Sequence, residues 1–220
     1  MSATKDAGKV VPVGDALTAI VLAAGLSRRM EGPNKLLLDW FGLPVIRHLC
    51  GVYLGAIKGE VIVVTGYMAP DVRAALAGLP VRFVHNAHYA DGQQGSVVTG
   101  LQAVGEGRGA LVGLGDQTLL TADDLQTLIA AHAAADPEKV TVPVREGARG
   151  NPVLIPAGLV AKVLDDGADA QSGRFIDLRA DHVQSVEMAA VGFFADIDTP
   201  ALYEKLLEIA AKGRIPRAEP

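Results

Sequence analysis

The chain has 220 residues, half of them apolar, with a formal net charge of −5. That length supports one sizeable core and fits a single α/β domain. Lys and Arg do not cluster as a nucleic-acid surface would need, and no apolar run approaches the ~20 residues of a membrane span, so the expected partners are small molecules and neither nucleic acid nor membrane.

Residues 1–15 lack the apolar core of a signal peptide, which points to a cytoplasmic protein. They and residues 214–220 carry no pattern and read as tails around one domain at 16–213, divided into a nucleotide-binding half at 16–120 and an acceptor-binding half at 121–213. Short β-branched runs recur at 18–22, 60–65, 81–84, 110–114, 140–144, 152–155 and 183–188. Helical patterns fall at 44–56, 69–76, 96–103, 122–135 and 201–211. Strands alternating with helices imply crossover connections, hence an α/β, three-layer, Rossmann-like and mainly parallel sheet. Asp39-Trp40-Phe41-Gly42 reads as a hairpin turn, with Trp40 as packing. Cys50, the single cysteine, sits in an apolar helical pattern and reads as a buried structural thiol. Thr121 before Ala122-Asp123-Asp124 predicts a capping-box start, and Thr199-Pro200 a cap followed by an N1 proline.

In such sheets ligands lie beyond the carboxyl ends of the strands, and polar groups follow four of the predicted strands. Leu22-Ala23-Ala24-Gly25-Leu26-Ser27-Arg28-Arg29-Met30 leaves the first, with Lys35 soon after. Small residues let the backbone approach a ligand, successive N–H groups form an anion-binding nest, and Arg28, Arg29 and Lys35 supply positive charge for phosphate oxygens. Neither G-x-x-x-x-G-K-[ST] nor G-x-G-x-x-G is present, nor is there a G-x-S-x-G elbow or a Cys/His cluster. Thr65-Gly66-Tyr67 follows the second strand, and His85-Asn86 the third. Gly115-Asp116 follows the fourth, where a hard carboxylate can hold Mg²⁺ or instead cap a turn. Gln93, Gln94 and Ser96 lie between Gly92 and a predicted helix, where free N–H groups suit a phosphate or a plain cap. Asp196 and Asp198 flank Ile197 and share a face if extended.

The pattern L-A-A-G-x-S-x-R-M with a following lysine resembles the MobA-like nucleotidyltransferases, and most of all the molybdenum cofactor cytidylyltransferases. The resemblance continues through Gly66-Tyr67, Asn86 with Gly92 and Ser96, Gly115-Asp116, Gly150-Asn151-Pro152-Val153 and Asp196-Ile197-Asp198-Thr199-Pro200. It implies Mg²⁺-dependent transfer of a cytidylyl group from CTP to molybdopterin bearing molybdenum, with molybdoenzymes as possible recipients. Lys35, Arg28 and Asp116 would then be catalytic. Leu22, Ala23, Ala24, Gly25, Ser27, Arg28, Lys35, Thr65, Gly66, Asn86, Gln93, Ser96 and Gly115 would hold nucleotide, and Asp116 and Asp198 the metal. Asn151, Gly173, Arg174 and Asp196 would face the acceptor. The chain has Asn151 where relatives commonly have His, and Thr118 where they have Pro. Nucleotidyl transfer to a sugar or polyol phosphate, or nucleotide and cofactor delivery without catalysis, are the rival readings.

Overall fold

A computed structural model describes residues 16–30, 32, 34–167 and 180–214. The first strand, β1 (Leu17–Ala23), is buried along its whole length, and its two faces feed different cores. Leu17, Ala19, Val21 and Ala23 pack on one side, Ile20 and Leu22 on the other. A strand buried on both faces reads as a continuous apolar run, and this one does.

The remaining elements follow in order: β2 (Asp39–Trp40), β3 (Leu43–Pro44), α1 (Val45–Ala56), β4 (Val61–Thr65), α2 (Ala69–Ala75), β5 (Val81–His85), α3 (Gln93–Gln102), β6 (Gly109–Leu114), α4 (Ala122–Ala134), β7 (Val140–Arg145), β8 (Ala148–Arg149), β9 (Val153–Ile155), α5 (Ala157–Gly167), β10 (Val183–Glu187) and α6 (Pro200–Ile209). Among the described residues, eight strands form one sheet in the order β10-β7-β9-β6-β1-β4-β5, with β8 on β7, while β2 and β3 make a separate hairpin. The β1–β4, β1–β6, β4–β5 and β7–β10 pairs are parallel. β9 runs antiparallel between β6 and β7. The few residues joining β7 to β9 cannot carry a crossover, so the chain must reverse there. Side chains of α1, α2, α4 and α6 cover one face, those of α3 and α5 the other. This is the three-layer α/β fold expected of the chain.

The strand order reverses at β1, between β4 and β6, and that reversal opens a crevice at the carboxyl ends. Ala23 lies level with Thr65, Thr65 with His85, and Leu22 with Leu114, so the loops after β1, β4, β5 and β6 leave from one rim. Three expectations need correction. Helix α3 starts at Gln93 and not at 96, which puts Gln93, Gln94, Gly95 and Ser96 in its first turn. Helix α5 was not anticipated: Pro156-Ala157-Gly158 reads locally as a turn, but Leu159, Val160, Val163 and Leu164 form an apolar stripe on the sheet. Strand β8 was also unforeseen, being two residues held only by its pairing with β7. Residues 1–15 and 215–220 of the expected tails lie outside the described residues.

The local start signals hold. Thr121 Oγ1 accepts from Asp124 N at 3.1 Å while Asp124 Oδ2 accepts from Thr121 N at 3.0 Å, and Thr199 caps α6. Trp40 is buried in the hairpin, edge-on to Phe41 and tilted against His48. Cys50 is buried in α1, and desolvation pushes its thiol up to about 12, so it is inert at neutral pH.

Buried polar side chains generate two predictions. The Tyr53 hydroxyl is buried with no hydrogen-bond partner, against the backbone of Gly113, where an added Cβ would collide with it. An unsatisfied buried hydroxyl costs about 1–3 kcal/mol. Tyr53→Phe is therefore expected to leave stability unchanged or raise it by about 1 kcal/mol in urea denaturation, although a buried aromatic is being altered. The second concerns His48 and His132. His48 Nε2 donates to the Thr118 carbonyl at 3.1 Å, and His132 Nδ1 lies 2.8 Å from Thr141 Oγ1. Burial lowers both pKa values below the ordinary 6.5, against a smaller opposing effect of the Thr118 bond on His48 and of Asp136 on His132. The unfolded chain thus binds more protons than the native one in the window from 6.5 down to the lowered values, so stability is full above 6.5 and falls with pH through that window. His132→Gln should flatten the decline between pH 7 and 5.5 in parallel denaturation curves.

Candidate active site

The loop after β1 is shaped by its own side chains. Ser27 has φ of 50°, a left-handed turn that lets Met30 N reach Ser27 O at 3.0 Å and starts the single 3-10 turn Arg28–Met30. Ser27 Oγ accepts from Lys35 N at 3.2 Å and donates to Asn34 Oδ1 at 3.3 Å; the same Asn34 oxygen accepts from Leu36 N at 3.1 Å. Met30 and Leu36 are buried on either side of these bonds. Two apolar anchors and a Ser–Asn clasp therefore fix where the Lys35 side chain emerges.

It emerges among carboxylates. Lys35 Nζ pairs with Asp116 Oδ2 and lies 3.5 Å from Asp198 Oδ1, while Arg29 Nη2 meets the same Asp198 oxygen at 2.7 Å. One carboxylate oxygen each from Asp116, Asp196 and Asp198 falls within 4.8 Å of the others. Asp116 is almost fully buried at the end of β6, and burial raises its pKa, with the Asp196 charge adding and Lys35 opposing. The Asp196–Asp198 segment reaches it because Ile197 N donates to Asp116 O at 3.3 Å and the Ile197 side chain is wholly buried. With Ile197 pointing into the core, its two neighbours share the opposite side.

These groups line one cleft of about 400 Å³, bounded by the β1 loop, the first turn of α3 and the three aspartates. Of the residues singled out from sequence, Leu22, Ala24, Gly25, Ser27, Arg28, Lys35, Gln93, Ser96, Asp116, Asp196 and Asp198 line it. The resemblance assigns Asp196 to the acceptor, but the fold groups it with Asp116 and Asp198. Ala23, Thr65, Gly66, Asn86 and Gly115 stand behind the wall. Thr65 Oγ1 donates to Val84 O at 3.2 Å, and Asn86 joins the β5 end to α3 by donating to Ser96 Oγ at 3.0 Å. A Cβ at Gly66 would come within 2.7 Å of the Ala24 Cβ, and one at Gly115 within 2.8 Å of Leu22 O, so both glycines permit close packing of the rim. Asn151 does not line the cleft; its N donates to Phe193 O at 2.9 Å, and the Asn151–Pro152 bond that follows is cis. Gly173 and Arg174 lie outside the described residues.

Sequence reasoning missed Tyr89 and Ala90, which line the cleft beside Gly92. The available signal was an aromatic within a polar, Gly-containing loop. It also missed Asn34, whose capping role depends on a turn too short to show periodicity.

A divalent cation fits the donor set. Mg²⁺ takes hard oxygens at about 2.0–2.1 Å, so ligands across it are roughly 4 Å apart, and the three aspartate oxygens are already grouped on that scale. Small-residue backbone, flexible cations, a helix N-terminus without a side-chain cap and three carboxylates together suit a polyphosphate with its metal.

The sequence is 35% identical over 124 residues to the bifunctional protein GlmU of Synechococcus sp. (strain JA-2-3B'a(2-13)), covering 56% of this chain but spanning only 20% of that protein. It is 27% identical over 197 residues to the nicotine blue oxidoreductase of Paenarthrobacter nicotinovorans, covering 87% of this chain and 96% of that one. Among solved structures, the Rv0371c homolog from Mycobacterium sp. strain JC1 superposes with a TM-score of 0.75 at 24% identity, over 90% of this chain and 98% of its own. The manganese complex of Rv0371C from Mycobacterium tuberculosis does so with 0.64 at 24%, over 88% and 98%. Residues 19–185, well over half of the sequence, match the MobA-like NTP transferase domain, and the chain belongs to that family.

Proposed function

We propose that this chain is a Mg²⁺-dependent cytidylyltransferase that joins CTP to molybdopterin carrying molybdenum, giving the cytosine dinucleotide form and pyrophosphate. The observation that carries the nucleotidyl-transfer reading is the convergence of Lys35, Asp116, Asp196 and Asp198 on the cleft that the β1 loop lines. A terminal phosphate oxygen of the acceptor attacks the α-phosphorus of CTP, a new P–O–P linkage forms, and the bond between the α- and β-phosphates breaks to release pyrophosphate. No protein nucleophile is needed. Lys35 and Arg28 hold phosphate oxygens, the backbone N–H groups of 24–27 face the leaving pyrophosphate, and Gln93 and Ser96 at the start of α3 help hold the nucleotide. Asp116, with Asp198 and Asp196, would hold the cation, which supplies charge neutralisation across the phosphates. Asn151, Gly173 and Arg174 are assigned to the acceptor, and recipient molybdoenzymes are the expected partners downstream.

Incubation with Mg²⁺, each labelled NTP in turn and a molybdopterin source tests the reading through pyrophosphate release and formation of a new dinucleotide. Turnover with a sugar or polyol phosphate instead would move the acceptor assignment while keeping the chemistry. Nucleotide left intact with every acceptor, together with turnover of a reduced nicotinamide or flavin, would overturn it.

Two variants probe the cleft. Lys35→Ala should lower turnover by about a hundredfold, the scale expected when one preorganised electrostatic group is removed, with circular dichroism unchanged. Wild-type turnover in that variant would make Lys35 a bystander. Ala24 is nearly buried and lines the cleft beside Gly66, so its methyl narrows the space next to a base. Steric limits of this kind reject a larger base better than a smaller one. Competition between labelled CTP and GTP should favour CTP, and Ala24→Gly should relax that preference while retaining activity; preference of the wild type for GTP would sink the cytidylyl assignment.

A further inference from the structure

Gln117 directly follows Asp116, is 1% exposed and does not line the cleft. Its side-chain nitrogen donates to three main-chain carbonyls: Phe193 O at 3.0 Å, Asn151 O at 3.2 Å and Gly192 O at 3.3 Å. The amide oxygen is buried and makes no hydrogen bond, so the whole contribution of this side chain is donation. The acceptors are well chosen to matter. The turn at 192–193 leads straight to Asp196 and Asp198, and its Phe193 carbonyl also accepts from Asn151 N at 2.9 Å. Four residues beyond Phe193, Ile197 N returns to Asp116 O. The strand end that carries one carboxylate is thus tied to the segment that carries the other two at adjacent positions, through the main chain of Asp116 and the side chain of Gln117.

We propose that Gln117 is a positioning residue that sets the spacing of Asp116, Asp196 and Asp198, and through that spacing the affinity and size preference of the divalent-cation site. This rests on the cation-dependent reading above. The chemistry of the position is restrictive. A neutral donor satisfies buried carbonyl oxygens, whereas an apolar side chain takes that donor away, leaving Phe193 O only its bond from Asn151 N, and a carboxylate repels them. Once the turn at 192–193 loses this bond, Asp196 and Asp198 are held to Asp116 chiefly by Ile197. Mg²⁺ and Mn²⁺ demand short, near-octahedral oxygen contacts, while Ca²⁺ accepts about 2.3–2.6 Å and irregular geometry. A loosened cluster therefore loses the small ions first.

The test is Mn²⁺ binding to the full chain by electron paramagnetic resonance, with Ca²⁺ as competitor, on wild type, Gln117→Met and Val142→Ala. Methionine keeps the length and removes the donor. Val142 is buried in the core on the other face of the sheet, so its truncation serves as a purely structural control. The expected result is a loss of Mn²⁺ affinity of tenfold or more in Gln117→Met with a shift of preference toward Ca²⁺, while Val142→Ala lowers the Tm and leaves Mn²⁺ affinity within twofold. Should Gln117→Met not fold, Gln117→Asn, one methylene short of its acceptors, is judged by the same criteria. A Gln117 variant with lowered Tm but wild-type Mn²⁺ affinity and Mn²⁺/Ca²⁺ ratio overturns the proposal. A wild-type protein that binds no Mn²⁺ overturns instead the cation-dependent reading on which it rests.

Discussion

Three carboxylates gathered within a few ångströms at the end of a buried strand repel one another, and the Lys35 ammonium among them offsets that repulsion. Much of the surrounding architecture serves this pairing. Ser27 and Asn34 fix the backbone of Lys35, Met30 and Leu36 anchor the loop on both sides, and Ile197 buries itself so that its neighbours turn outward. Lysine suits the place better than arginine would: a compact charge on a flexible stem can sit against a carboxylate in one state and a phosphate oxygen in another. Arg29, far more exposed and paired among the described residues with Asp198, is held less tightly.

The sheet explains why these parts meet. Reversal of strand order at β1 leaves a crevice beside β6, and the level ends of β1, β4, β5 and β6 put four loops on one rim. The glycines at 66, 113 and 115 are packing solutions, each facing an atom that a Cβ would strike. The same rim then admits the N-terminus of α3, which opens on Gly92 at φ 132° without a side-chain cap and lines the cleft with Gln93 and Ser96.

Regular elements with strong periodicity were legible before folding. The strands at 18–22, 60–65, 81–84 and 110–114, the capping box at Thr121 and the proline start at Pro200 all follow from local chemistry. Elements that depend on a partner were not. The two-residue β8 exists only because β7 pairs with it, and α5 is marked by an apolar stripe whose meaning comes from the sheet beneath it. In the cleft, Asp116 could be named because a carboxylate stood just beyond an apolar run, Lys35 as a cation closing the small-residue loop, and Asp198 through the family resemblance. Tyr89 and Gln117 could not, because nothing in a sequence says that a tyrosine in a polar loop borders a cleft, or that a glutamine beside an aspartate will reach carbonyls at 151, 192 and 193.

The sequence by itself determined the α/β class, the strand-to-loop junctions that bear charge and the inert character of Cys50, since periodicity, small-residue loops and an apolar setting are local properties. Only the tertiary structure decided that Asp196 joins Asp116 and Asp198, that α3 begins three residues early with its first turn on the cleft, and that several predicted contact residues, Thr65, Gly66, Asn86 and Gly115 among them, brace the wall from behind. The reason is range. Side-chain direction along one strand is fixed by its two-residue repeat, but the distance between residues 116 and 198 is fixed by strand order and by hydrogen bonds that span some eighty positions of chain, such as Ile197 N to Asp116 O.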